Sequence, residues 1–156
     1  MSEDDNLTPS LEVLDLTRSD MRQIGEYGNE HPDEYGGHWF EDHRRAYGVA
    51  FTGSLGIHAA ALRTLLRFPD CLRLRQCDYT YTYLRHLQEG VFWGEHERNP
   101  DGSIRGAVAV HGVGLDVKQN VVVVRLLPGQ PEVEERLANQ YGAVIRIERG
   151  GKAVPL

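Results

Sequence analysis

The chain has 156 residues, 40% hydrophobic and 26% charged, which suits one compact domain or two small lobes and excludes a disordered chain. A formal net charge of -6 argues against nonspecific phosphate binding, so nucleic acid is not an expected partner. No window nears the ~18 uninterrupted apolar residues of a membrane span. The acidic opening Met-Ser-Glu-Asp-Asp is the reverse of a basic signal peptide, so a cytoplasmic location without a membrane partner is expected.

In chain order, residues 1–12 read as a polar, frayed start. Thr17 and Asp20 have capping-box spacing, and Leu16 and Met21 sit at the staple positions. A short amphipathic helix of about ten residues follows, with Ile24 and Tyr27 on its apolar face and Gly28 as its stop. His38–Asp42 and Ala46–Thr52 then form a hairpin. Ser54 caps a second helix whose apolar face is Leu55, His58, Ala59, Leu62, Leu65 and Leu66, and Pro69 ends it. The strand Leu72–Arg75 alternates cleanly, with one face buried and the arginines outward. A helix from Thr82 to about Val91 carries Tyr83, Leu84, Leu87 and Val91 along one side, and Asn99–Gly102 reads as a turn or linker.

The same order then returns. Val108–Asp116 and Val121–Leu127 are strands joined by a turn at Lys118–Asn120. Pro131 opens a helix with Val133, Leu137, Ala138 and Tyr141 inward, Gly142 closes it, and Val144, Ile145 and Ile147 form the last strand. The expected fold is therefore α+β, a duplicated ββαβ unit with a small antiparallel or mixed sheet covered by helices on one side. The expected division is an acidic arm and helix at 1–29, a first unit plus connecting helix at 30–98, and a second unit at 104–156.

Charge is distributed unevenly. Residues 1–43 carry twelve acids and two arginines, and residues 44–156 carry fifteen basic residues and eleven acids. Such a block is ordinarily a solvated face; otherwise it can lie across the chain's own basic surface or meet a basic partner. Arg63, Arg67, Arg73, Arg75 and Arg85 interleave with Tyr79, Tyr81 and Tyr83, as in RNA-binding sheets. Pairing of these arginines with the chain's own acids is the simpler expectation. Cys71 and Cys77 lie about 20 Å apart along a regular strand, too far for a disulfide, so two free thiols are expected.

The candidate chemistries fail on spacing. His31, His38 and His43 stand among acids but are separated by Pro32 and by Gly36-Gly37, so no regular element aligns them and no metal or other cofactor is expected. His58 reads as a core-edge histidine bonded to backbone. His111 and Asp116 lack a credible nucleophile, because Ser54 and Ser103 read as helix cap and turn residue. Gly112-x-Gly114 leads into a strand rather than a helix, which fits a bulge or a close neighbour better than a dinucleotide cradle. The chain is thus expected to be no enzyme.

The run Val113-Gly114-Leu115-Asp116-Val117-Lys118-Gln119-Asn120-Val121-Val122-Val123 resembles the core of the pro regions of secreted bacterial chymotrypsin-like proteases, the α-lytic and streptogrisin type. Tyr35-Gly36-Gly37-His38-Trp39-Phe40 resembles the Gly-Gly-aromatic strand opening of the same regions. Residues 30–149 fall within the pattern, which is also similar to stand-alone actinobacterial proteins. No Gly-Asp-Ser-Gly nucleophile motif is present, so the chain is not the protease itself. The resemblance implies a fold and a peptide-docking sheet.

The combined expectation is a binding module that docks a segment of another protein, a protease or a toxin, by sheet-edge pairing. The candidate strands are Leu72–Cys77 and Val144–Glu148, with Arg73, Arg75, Arg146 and Glu148 supplying selectivity. The alternative is an acidic inhibitor or immunity-type protein that neutralises a basic partner through residues 1–43.

Overall fold

The structure is a computed structural model, and it describes residues 11–41, 43, 45–95, 100–101 and 110–149. Helix α1 spans Leu11–Glu30. It is twice the expected length, and residue 20 explains the difference. Asp20 does not reach back to a cap at Thr17. Its carboxylate is buried, accepting the Tyr47 hydroxyl at 2.8 Å and the amides of Arg67 and Phe68 at 2.7 and 3.0 Å. A carboxylate with three donors is stable in a dry site, and here it fastens the middle of the helix to the sheet. Nor does Gly28 end the helix; it lies buried where the Tyr35 ring leaves no room for a side chain.

Strands β1 (Tyr35–Glu41) and β2 (Ala46–Phe51) pair antiparallel, α2 (Leu55–Leu65) crosses over, and β3 (Leu72–Gln76) pairs parallel to β2. The sheet order is β1-β2-β3. Tyr47, Val49 and Phe51 point from β2 to the helices, where Ile24, Tyr27, Leu62 and Leu66 cover them. Leu65, expected on the inner face of α2, is 47% exposed, since the helix ends there and the chain turns away. Ser54 precedes α2 at φ 55° without a side-chain cap, because its hydroxyl bonds Glu34 instead.

The second half repeats this plan. Helix α3 (Tyr81–Glu95) precedes β4 (Val110–Asp116) and β5 (Val121–Leu126), then α4 (Pro131–Tyr141) leads into β6 (Ile145–Arg149), with sheet order β4-β5-β6. Leu84 and Val91 of α3 join Val122, Val124, Leu126 and Leu137 in one core. Ala138 of α4 is exposed rather than inward. Val108, Ala109 and the linker residues Asn99 and Gly102 lie outside the described residues.

The α+β class is therefore as expected, with two small mixed sheets each covered by helices on one face. The repeated unit is larger than expected: αββαβ rather than ββαβ. The chain divides into compact units at Met1–Cys77 and Asp78–Leu156. So the first helix is part of the first unit, and the connecting helix opens the second. The repetition reaches single residues. Each hairpin has a register shift near the start of its first strand, between Tyr35 and Gly37 and between Val110 and Gly112. The pair Trp39–Gly48 in one sheet corresponds to Gly114–Val123 in the other, and Arg73 and Arg75 correspond to Arg146 and Glu148.

Candidate functional site

Each sheet has one face under its helices and one face without them, and the four predicted binding residues all stand on the latter. On the first sheet they do not act together. Arg73 folds back to donate to the carbonyls of Asp70 and Leu72 at 2.6 and 3.0 Å. Arg75 lies over the Trp39 indole, 5.2 Å from its centroid, and 3.5 Å from Glu41. Trp39 in turn donates its indole N–H to Glu41 at 2.7 Å and rests on Gly48, where any side chain would collide with the ring. A ring, a guanidinium and a carboxylate thus close this face.

On the second sheet the predicted residues do meet. Arg146 Nη2 stands 3.2 Å from Asp116 and 3.3 Å from Glu148, and its Nη1 donates to the Gln119 side chain. Arg125 reaches Glu148 at 3.4 Å. Asp116, Arg125, Arg146 and Glu148 rim a shallow depression of about 490 Å³ floored by Gly112, Gly114 and Val123. Nothing would obstruct a Cβ at either glycine, so the Gly-x-Gly marks a bulged, open strand and not a close neighbour. Beside this face, β6 is an edge strand: its inner side pairs with β5, and among the described residues no strand pairs with its outer side. Strand β3 has the same place in the first sheet.

No protein-family model matches the chain, and no curated protein does.

The turn between β4 and β5 has a definite structural part. Asn120, at φ 60°, accepts the Asp78 and Tyr79 amides at 3.1 and 2.8 Å and donates to the Tyr79 carbonyl at 2.8 Å. It thereby ties the β4–β5 turn to the approach to α3. Asp116 accepts the Gln119 amide at 2.9 Å and shapes the same turn.

A second cluster was not legible as such in sequence. His58 is buried and bonded to side chains, not to backbone as expected. Its Nδ1 lies 2.7 Å from the Tyr27 hydroxyl and its Nε2 3.0 Å from Glu34. An ionised carboxylate only accepts, so Nε2 carries the proton and Nδ1 accepts from Tyr27. Hydrogen bonding to His58 holds the Glu34 carboxyl below the usual carboxylate range, and burial pushes the Tyr27 hydroxyl up. His58 stacks on Phe51 at 4.0 Å, and His31 stacks on Tyr27 at 4.0 Å. Ser54 donates to Glu34 at 3.2 Å, so its hydroxyl faces a weak carboxylate base rather than an imidazole. The cluster locks α1, α2 and the loop before β1 together.

Three further histidines stand apart. His38 bonds Tyr35 within β1, His43 is exposed in the hairpin turn, and His111 is exposed at the bulge of β4. Among the described residues no three His, Cys, Asp or Glu side chains converge on a common point for a metal. The basic–aromatic series divides between units: Arg63, Arg67, Arg73 and Arg75 lie in the first, and Arg85 with the stacked Tyr79 and Tyr83 in the second.

Proposed function

We propose that the chain is a non-catalytic protein-binding module that holds an extended segment of a partner protein against the outer side of β6. The observation that carries this reading is the edge position of a five-residue strand, Ile145–Arg149, whose open-face side chains meet in an ordered network. Added strands gain affinity from main-chain hydrogen bonds, while alternate side chains discriminate among sequences. Arg146 and Glu148 lie at those alternate positions. The resemblance of Tyr35–Phe40 and Val113–Val123 to protease pro regions supports a protein as the partner.

A peptide selected from a displayed random library against the whole chain tests the reading. On binding, amides of Ile145–Arg149 gain protection from hydrogen exchange, and affinity changes less than about threefold between about 50 mM and about 500 mM salt. A steep loss of affinity with salt, with protection confined to the acidic α1, supports neutralisation of a basic partner instead and overturns strand pairing.

A further inference from the structure

The internal duplication gives each open sheet face a counterpart, and the two differ most in size at the position of Trp39. In the first unit Trp39 lies across Gly48, its N–H on Glu41 and its ring under Arg75. The same place in the second unit holds Gly114 opposite Val123. The carboxylate is retained, since Asp116 takes the position of Glu41. The guanidinium is also retained but relocated, because Glu148 stands where Arg75 would be and Arg125 replaces Ala50. The second face thus keeps the fittings around the ring without the ring, and a depression of about 490 Å³ lies there.

We infer that this depression is a receptor for an aromatic side chain carried by the partner segment, an indole or phenol with an acidic neighbour. Gly112, Gly114 and Val123 would take the ring face, which removes apolar area from water on both sides. Asp116 would accept the ring's N–H or O–H, as Glu41 does for Trp39; a carboxylate has acceptor capacity beyond its bonds to Gln119 and Arg146. The charged lining consists of Lys118, Arg125 and Arg146 against Asp116 and Glu148, an excess of one positive charge that complements an acid beside the ring. The inference rests on the protein-binding reading for the source of the ring alone, and strand pairing on β6 is measured separately by its amide protection.

The probes are the blocked dipeptides Ac-Trp-Glu-NH2, Ac-Trp-Lys-NH2 and Ac-Ala-Glu-NH2, titrated into the full chain and followed by amide chemical shifts. The Trp-Glu probe shifts Gly112, Gly114 and Val123, Trp-Lys binds more weakly, and Ala-Glu leaves these amides in place. Gly114→Trp, which supplies the ring from within, weakens the Trp-Glu probe by at least about tenfold. The converse variant, Trp39→Gly, creates a second set of shifts at Gly48 and Ala50. Should that variant fail to fold, Gly114→Trp decides alone, since a Cβ at 114 meets no atom within 4 Å. Absence of shifts at the three floor residues overturns the inference, as does Trp-Glu binding that persists unchanged in Gly114→Trp.

Discussion

Asp20 illustrates how a single side chain can be placed by partners far away in sequence. Three residues after Thr17 it has the spacing of a capping box, yet its acceptors serve Tyr47, Arg67 and Phe68. Those donors lie on β2 and beyond α2, so no local pattern could announce them. Asp20→Ala leaves buried donors unsatisfied at both places and is expected to destabilise the first unit by about 3 kcal/mol, read by chemical denaturation. Tyr47→Phe removes one bond and costs about 1 kcal/mol in the same measurement. Burial and Asp20 together push the Tyr47 hydroxyl far above the ordinary tyrosine range, so alkaline conditions leave its proton in place. Acid acts elsewhere. Burial holds the His38 imidazole below its usual range, and the His58 hydrogen bond does the same for the Glu34 carboxyl. A depressed folded value means that each contribution is complete above the unfolded pKa and disappears as pH falls through the folded one. The first unit is therefore expected to weaken in two stages, from about pH 6.5 downward for His38 and from about pH 4.5 downward for Glu34. Urea midpoints measured across pH, with Glu34→Gln removing the lower stage and leaving the upper, check the assignment.

At the scale of elements, periodicity located the six strands and four α-helices of the described residues to within a few residues at most ends, because one-sided burial imposes period 2 on strands and 3.6 on helices. What periodicity cannot carry is the address of a buried face. Leu84, Leu87 and Val91 mark α3 as amphipathic without saying which sheet they cover; chain order alone groups the helix with the preceding strands, whereas its apolar side lies in the core of the second unit. Leu84→Ala is expected to cost about 2–5 kcal/mol in the second unit, seen as lost exchange protection in β4–β6. The length of α1 was missed because Asp20 mimicked a start signal. The candidate site was only partly legible. The alternation in β6 placed Arg146 and Glu148 on one face, but their meeting with Asp116 and Arg125 depends on the β4–β5–β6 register. Cys71 and Cys77 flank β3, one in the preceding 3-10 turn and one just beyond the strand, and neither is joined in a disulfide. Five intervening strand residues separate them by about 20 Å, so two thiols are expected to react after unfolding without reductant. Recovery of fewer than two would point to a bridge between chains.

The whole molecule is a tandem of one αββαβ plan, and the two copies carry different side chains on their helix-free faces. The first copy covers its face with Trp39, Arg75 and Glu41; the second leaves a rimmed depression beside an edge strand. That asymmetry is the reason for placing the proposed binding on the second unit. Backbone pairing and side-chain capture make different demands on a ligand, and only pairing depends on alternate peptide amides. N-methylation deletes one amide donor at a time and spares every side chain. The decisive measurement is therefore an N-methyl scan along a peptide selected against the chain. Strand pairing on β6 predicts that methylation at every second residue lowers affinity by at least about tenfold while the intervening positions tolerate it. Equal tolerance at all positions would contradict the account.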